Sequence, residues 1–184
     1  MASSVFEILS PKHFNSVLAI SEVCFGQKYL TKEQLESYCG NSNLSVVYYL
    51  NGKIIGFCLN EIYTKSNRKT AFSKVIDPAD FPAGIIKTIA ITPRFQNLGY
   101  GSHLLDLSVS KLSKQSVKTI FYPAWNETDN DRFFLKLLKI NFKEITVIPD
   151  YWARESVKNN YYCAKCGAPP CHCSLSLYRK KIQD

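Results

Sequence analysis

Residues 85–102 of the chain read IIKTIAITPRFQNLGYGS. The apolar run from Ile85 to Thr92 is typical of a buried strand, and Pro93 ends it because proline cannot donate a hydrogen bond to a sheet. Apolar side chains then recur at helical spacing from Gly101 to Leu112. The stretch therefore predicts a strand, a glycine-containing turn and a helix, in that order.

The turn between this strand and this helix is suited to an anion. Gly99 and Gly101 can adopt positive φ and let the backbone approach a ligand closely. The first turn of the helix offers unpaired N–H groups and the positive end of the helix dipole. Two other phosphate motifs are excluded: Leu104 stands where the dinucleotide fingerprint needs its third glycine, and no Gly-Lys-Ser/Thr follows as in a P-loop. A Gly-x-Gly turn alone is as often a packing turn as a ligand site.

The wider string resembles the acetyl-coenzyme A motif of the GNAT superfamily of N-acetyltransferases. Gln96-Asn97-Leu98-Gly99-Tyr100-Gly101 matches the pattern Gln/Arg-x-x-Gly-x-Gly/Ala at every fixed position, and Ile89-Ala90-Ile91-Thr92-Pro93 matches the strand before it. The resemblance covers residues 85–142 by motif and residues 5–148 by order of elements. It implies an α/β fold, a single-domain mixed β-sheet flanked by helices, which is the GNAT-like acyl-CoA N-acyltransferase fold.

The same resemblance implies how acetyl-coenzyme A (acetyl-CoA) would bind. Backbone N–H groups of the turn would hold the pyrophosphate. Backbone groups of Ile89 and Ile91 would pair with the pantetheine arm, and the Ile91 N–H would face the thioester oxygen. Asn126 matches an asparagine that contacts the cofactor in relatives, and a cap or turn residue before Asp129 is an equally good interpretation. The residues expected at the cofactor are Ile89, Ala90, Ile91, Gln96, Asn97, Leu98, Gly99, Tyr100, Gly101, Ser102 and Asn126.

The reaction implied by the family is transfer of the acetyl group to an amine by direct attack on the thioester. A free alkyl amine is mostly protonated at neutral pH, so a base or a water chain must remove a proton. Many relatives carry a glutamate on the strand before the turn and a tyrosine in a later helix. Here Lys87 and Thr88 stand nearest the first position, and Leu137 occupies the second. We therefore expect Glu61 as the base and Tyr122 as the acid; the alternatives are a solvent-exposed strand-end glutamate and a core tyrosine.

The whole chain predicts helices and strands in the order β-α-α-β-β-β-α-β-α-β-β. Asn51-Gly52, between the β-rich runs Leu44–Leu50 and Lys53–Tyr63, is a strong hairpin signal. Residues 64–84 are polar and turn-rich, and residues 149–170 show little regular periodicity. Residues 64–84 are candidates for the acceptor side of the site. So are four aromatic residues for which core packing is the alternative: Tyr151, Trp152, Tyr161 and Tyr162.

Four of the seven cysteines fall within eleven residues: Cys163, Cys166, Cys171 and Cys173. The segment Cys163-Ala164-Lys165-Cys166-Gly167 is typical of a metal knuckle, and four thiolates can close a tetrahedral zinc site. We predict a structural zinc ion that pins the C-terminal strand, with an iron–sulfur cluster or free thiols as the alternatives. His172 could replace one cysteine. Four thiolates leave no open ligand position, which argues against a catalytic zinc.

The composition is that of a globular protein. Of 184 residues, 46% are hydrophobic and 21% are charged, and no apolar run approaches the ~20 residues of a membrane span. The N-terminus lacks the layout of a secretion signal, so we expect a cytoplasmic protein with no membrane partner. We expect a GNAT-like acetyl-CoA-binding domain over residues 1–148, a C-terminal extension over residues 149–184 packed on the same domain, and a monomer or homodimer.

The net charge of +8 lies entirely after residue 60, because residues 1–60 carry four lysines and four glutamates. Such a surface favours anionic partners, and a solvated basic face without a partner is the alternative. Two other functions stay open: a catalytically silent acyl-CoA-binding sensor and a basic zinc-containing nucleic-acid-binding module. Nucleic acid is the weaker partner, because the basic residues are dispersed and no aromatic-basic RNA-binding signature is present. No motif identifies the acceptor amine, whether small molecule or peptide.

Overall fold

The computed structural model describes residues 4–39, 44–66, 75–125 and 131–182. Within these ranges the strands are β1 (Ser4–Ile8), β2 (Val46–Leu50), β3 (Lys53–Tyr63), β4 (Ala83–Ile91), β5 (Thr119–Trp125), β6 (Lys143–Ile148) and β7 (Leu175–Lys181). The α-helices are α1 (Phe14–Phe25), α2 (Lys32–Tyr38), α3 (Tyr100–Ser113), α4 (Asp131–Lys139) and α5 (Ala153–Asn159). The chain therefore folds as the mixed α/β structure that the sequence predicts.

The strands form one sheet in the order β1-β2-β3-β4-β5-β7-β6. Neighbouring strands are antiparallel except β4 and β5, which run parallel. Strand β7 pairs with β5 on one side and with β6 on the other, so the C-terminal segment supplies a strand inside the sheet. The predicted fold class, a single mixed sheet flanked by helices, is confirmed.

Local sequence signals agree with most of the elements. Thr31 and Gln34 form a reciprocal capping box at the start of α2. Asn51 and Gly52 both have positive φ, as a tight hairpin turn between β2 and β3 requires. Helix α5 is the one helix of the described chain that the periodicity does not predict. It has seven residues, and its one fully buried side chain is the polar Ser156, so it carries no amphipathic pattern.

The hydrophobic core lies on both faces of the sheet. On one face α3 and α4 pack through Leu104, Leu105, Leu112 and Leu137. On the other face α1 and α2 pack through Phe14, Val17, Ile20 and Leu35. The longest helix in the described part of the chain, α3, has 14 residues, and none of the helices there has the length and apolar character needed to cross a membrane.

Candidate active site

Strands β4 and β5 separate from each other in the middle of the sheet. They pair only between Ala83–Ile85 and Thr119–Phe121, and then both continue without pairing with each other. Strand β4 also carries one extra residue, Lys87, opposite the step from Leu59 to Asn60 on β3. Such a bulge increases the local twist of a strand. The two strands consequently open a cleft of about 620 Å³ between them.

The cleft brings together most of the predicted cofactor residues. Eight of them line it: Ile89, Ala90, Ile91, Gln96, Asn97, Gly99, Gly101 and Ser102. Leu98 is exposed, and the Tyr100 ring packs against Tyr48, so neither side chain contributes to the lining. Asn126 lies outside the described residues.

The turn into α3 has the conformation of an anion site. Gly99 is the N-cap of α3 with φ of 89°, and Asn97 has φ of 60°. Gly101 lies in the first turn of the helix, so Asn97 and not Gly101 supplies the second positive φ. The His103 N–H donates to the Gly99 carbonyl at 3.1 Å, which leaves the N–H groups of residues 100–102 without a partner in the helix. A Cβ atom at Gly99 would meet no atom within 4 Å, so the turn is open to a ligand.

The edge of β4 presents backbone groups to the cleft. The Thr92 N–H donates to the Ile55 carbonyl on β3 at 2.8 Å. Because backbone groups alternate along an antiparallel strand, those of Ile91 and Ile89 point away from β3 and into the opening. The Gln96 side-chain amide donates to the Ile91 carbonyl at 2.8 Å. Gln96 therefore ties the turn to the end of β4, while the Ile91 N–H faces the cleft.

Several phenols and thiols that line the cleft have raised pKa values, among them those of Tyr122, Tyr29 and Cys24. Burial raises the pKa of Tyr122, which lies on β5 just beyond the point of separation. Burial also raises the pKa of Tyr29, in the turn after α1, to about 12, although a hydrogen bond with Thr88 opposes the shift. The pKa of Cys24 rises to about 11 for the same reason. All three groups are therefore protonated at neutral pH, which suits a proton donor and makes Cys24 a poor nucleophile.

Glu61 is not among the residues that line the cleft. It is half-buried on β3, opposite Ile85, and its carboxylate lies close to the Tyr38 hydroxyl on α2. Burial, and then the charge of Glu61, raise the pKa of Tyr38, which also lies within electrostatic reach of Tyr29. A base role for Glu61 therefore requires a proton relay between the cleft and its carboxylate.

Aromatic side chains line the cleft on the face that carries α1. Four of them form a connected set, called here the aromatic wall: Phe25, Tyr29, Trp125 and Tyr161. Ring centroids are 4.7 Å apart for Phe25 and Tyr29, 6.4 Å for Phe25 and Trp125, and 5.9 Å for Tyr29 and Tyr161. Tyr151 and Trp152 also line the cleft. The sequence did not point to Phe25, Tyr29 or Trp125, because isolated aromatics carry no periodic signal.

Three further observations bear on the predicted acceptor side. Tyr162 is 56% exposed and does not line the cleft, nor does any described residue between 64 and 84. Glu155 lies in the first turn of α5, a helix that the sequence does not predict. Burial raises the pKa of Tyr151, and the charge of Glu155 adds to the shift for both Tyr151 and Tyr29. A carboxylate therefore lies near this side of the cleft.

The four clustered cysteines lie beside the same cleft, which Cys163 and Cys171 help to line. All four Sγ atoms are within 4.8 Å of one another. Three separations are 3.8 Å (Cys163 to Cys173), 3.3 Å (Cys166 to Cys173) and 3.9 Å (Cys166 to Cys171). A tetrahedral zinc ion with Zn–S bonds of about 2.3 Å places its sulfurs about 3.8 Å apart. The donor set therefore fits such an ion with small adjustments.

Fold, turn and cleft together define an acetyltransferase that acts with acetyl-CoA. The chain belongs to the Acetyltransferase (GNAT) family, whose profile matches residues 6–138. No curated protein matches the chain significantly.

Solved structures of acetyltransferases share the fold over nearly the whole chain. Ard1 from Thermoplasma volcanium is 19% identical with a TM-score of 0.69, covering 98% of this chain and 99% of that one. The ribosomal-protein-S18-alanine N-acetyltransferase from Escherichia coli is 15% identical with a TM-score of 0.70, covering 99% and 96%. Arabidopsis thaliana Naa50 in complex with the bisubstrate analogue CoA-Ac-MVNAL is 16% identical with a TM-score of 0.66, covering 98% and 99%. At such low sequence identities, the structural similarity shows that these proteins share a fold with this chain.

Proposed function

We propose that the protein is an N-acetyltransferase that transfers the acetyl group from acetyl-CoA to a primary amine in the β4–β5 cleft. One observation carries the proposal: a single cleft joins the anion-binding turn at the start of α3 to the aromatic wall beside α1. A phosphate-bearing thioester and an amine can therefore enter from different sides and meet at the edge of β4.

In this proposal the backbone binds and activates the thioester. The N–H groups of residues 97–102 hold the pyrophosphate, and the groups of Ile89 and Ile91 pair with the pantetheine arm. The Ile91 N–H donates to the thioester oxygen, where negative charge grows as the amine attacks. A C–N bond forms, the C–S bond breaks, and the leaving thiolate takes a proton from the Tyr122 hydroxyl. The raised pKa of Tyr122 keeps that proton in place until it is needed.

The amine must lose its own proton. We place the base at Glu61, the carboxylate beside Tyr38, and water molecules carry the proton from the amine to it. No carboxylate is among the described residues that line the cleft. This favours an acceptor with a low ammonium pKa. At pH 7.5 about a third of an α-amino group is uncharged, against about 0.1% of a lysine side chain.

We therefore expect peptides with a free α-amino group to be better acceptors than lysine-type amines. Two of the similar structures support this choice. One is of an alanine N-acetyltransferase that acts on a ribosomal protein, and the other holds the bisubstrate analogue CoA-Ac-MVNAL. The test follows release of the coenzyme A thiol with a panel of N-terminally free peptides, N-terminally blocked lysine peptides and small alkylamines. Thiol release with α-amines above the rate of hydrolysis supports the proposal. Calorimetric binding of acetyl-CoA without turnover across the panel would identify a silent sensor instead.

Replacement of Tyr122 by phenylalanine tests the proton donor. We expect kcat for thiol release to fall about 100-fold, because the leaving thiolate loses its acid, while the Kd for acetyl-CoA stays within about twofold. Tyr178→Phe is the matched control. Tyr178 is the neighbouring phenol on β7, directly opposite Tyr122, and it does not line the cleft. An unchanged kcat in Tyr122→Phe would remove Tyr122 from the mechanism.

We also infer that the four clustered cysteines hold a structural zinc ion. The sulfur separations support this, and so do three backbone N–H groups that donate to sulfur at 3.4 Å: Lys165 and Cys166 to Cys163, and His172 to Cys166. Such bonds stabilise thiolate charge at a metal. The His172 ring is instead paired with Asp150 at 2.9 Å, so the ion is assigned to the cysteines alone. A reduced thiolate cluster suits the cytoplasm.

A further inference from the structure

We propose that the metal ion held by the four cysteines clamps the acceptor side of the cleft. In its absence the aromatic wall loses its position, so acceptor binding depends on the metal whereas acetyl-CoA binding does not. The inference rests on the proposed function, because it is the proposed acetyl transfer that makes the aromatic wall the acceptor side.

The cysteine sulfurs are in direct contact with the aromatic wall. Tyr161 packs with Cys163, Cys171 and Cys173 in one buried cluster, and the Cys171 thiol is close enough to the Tyr161 hydroxyl to help raise the pKa of that phenol. Trp125 packs against the same cluster, with its side chain close to Cys173. Tyr161 in turn packs edge-on against Tyr29, and Trp125 packs edge-on against Phe25. A metal ion that holds Cys171 and Cys173 in place would therefore position Tyr161 and Trp125 directly. It would position the other two members of the aromatic wall through their ring contacts.

The knuckle is also bonded to the turn after α1, which carries Tyr29. The Tyr162 N–H donates to the Gln27 carbonyl and the Ala164 N–H to the Phe25 carbonyl, each at 3.1 Å. Gly26, between these two acceptors, packs so closely that a Cβ atom there would lie 1.7 Å from the Tyr162 carbonyl oxygen. Movement of the knuckle would therefore carry the turn and Tyr29 with it.

A metal ion is the strongest constraint available to this segment. Between α5 and β7 the backbone forms no helix or strand, and its one isolated bridge joins Cys163 to Gly167. Without a cation, three buried thiols and the exposed thiol of Cys166 make only weak contacts with one another, whereas four metal–thiolate bonds would join the two ends of the segment. The phosphate turn is held separately, by Gln96 on Ile91 and by Thr92 on Ile55.

The test uses the full chain purified under reducing conditions without chelator. Elemental analysis is expected to find about one zinc ion per chain. After removal of zinc with a high-affinity chelator, amide hydrogen exchange in residues 25–30 is expected to accelerate about tenfold or more, and exchange in residues 85–102 to change less than about twofold. The Kd for acetyl-CoA is expected to stay within about twofold. Zinc chloride should restore the slow exchange.

Two variants separate the clamp from general destabilisation. Cys166→Ser removes the exposed ligand, and Cys39→Ser is its control at a cysteine remote from the cluster. Only Cys166→Ser should lose zinc and reproduce the chelated state. Tyr161→Phe removes the hydroxyl that reaches Cys171 but keeps the ring. It should retain zinc and acetyl-CoA binding, with exchange in residues 25–30 accelerated about threefold or more.

Absence of bound zinc in the purified chain would overturn the proposal, and so would unchanged exchange in residues 25–30 after chelation or in Tyr161→Phe. Loss of acetyl-CoA binding together with zinc would also overturn it, because the metal would then support the whole fold. These results differ from failure of the proposed function. In that case the zinc-loaded chain itself would not bind acetyl-CoA, or would bind it without acetylating any amine.

Discussion

Replacement of Gly99 by aspartate is expected to weaken acetyl-CoA binding at least about 100-fold. Gly99 caps α3 in the left-handed region, and the space beyond its Cα atom is open, where the proposed site places the pyrophosphate. A carboxylate about 4 Å from a phosphate charge near the protein surface costs roughly 4 kcal/mol, which corresponds to about three decades in Kd. The same charge occupies the position that the helix N-terminus offers to an anion.

The measurement is calorimetric titration with acetyl-CoA, supported by urea denaturation to show that the variant folds. Gly99→Asn is the matched control, because asparagine has nearly the shape of aspartate, tolerates positive φ and carries no charge. We expect Gly99→Asn to lose less than about tenfold in affinity. Equal affinities of the aspartate variant and the wild type would place the phosphates elsewhere.

Replacement of Gly26 by alanine is expected to lower the free energy of unfolding by about 3 kcal/mol or more. Gly26 has φ of 111°, a conformation that side-chain-bearing residues rarely adopt, and its Cβ atom would collide with the Tyr162 carbonyl oxygen. Relief of the collision must move one of two backbone segments. That movement breaks the hydrogen bonds from Tyr162 to Gln27 and from Ala164 to Phe25, each a net loss of about 1 kcal/mol.

Urea denaturation of Gly26→Ala is compared with that of Gly52→Ala. Gly52 also has positive φ, at 75° in the β2–β3 hairpin, but a Cβ atom there meets nothing within 4 Å. The control therefore isolates backbone strain, and we expect it to cost about 1 kcal/mol. Equal losses of unfolding free energy in the two variants would mean that the turn after α1 shifts to accommodate the added Cβ atom at no energetic cost. Its packing against the knuckle would then not be tight.

The anion-binding turn could be predicted because all of its determinants are local. Residues 85–112 contain, in order, a strand pattern, a proline, two glycines and a helical repeat. Each of these signals sets the backbone conformation of the residues next to it. The cluster of four cysteine sulfurs could be predicted for the same reason, since the four residues fall within eleven positions. The Asn51-Gly52 hairpin and the Thr31 capping box are further cases in which short-range chemistry sets the backbone.

The aromatic lining of the cleft, which is the proposed acceptor side, could be predicted only in part. Tyr151, Trp152 and Tyr161 were expected there and line the cleft, but Phe25, Tyr29 and Trp125 come from two other parts of the chain. Nothing in the sequence around them distinguishes a cleft residue from a core residue. Glu61 shows another limit of the sequence: its strand-end position suggested a base, but its place outside the cleft lining and beside Tyr38 depends on how α2 packs on β3.

The sequence by itself determined the fold class, the family, the glycine turn before α3 and the grouping of the four cysteines. Only the tertiary structure decided that β7 lies between β5 and β6, that β4 and β5 part after Ile85, and that the knuckle touches the turn after α1. The physical reason is the separation along the chain of the residues that interact. Turns, caps and closely spaced ligands depend on neighbours along the chain, whereas strand order and the aromatic wall depend on which distant surfaces pack together when the core closes.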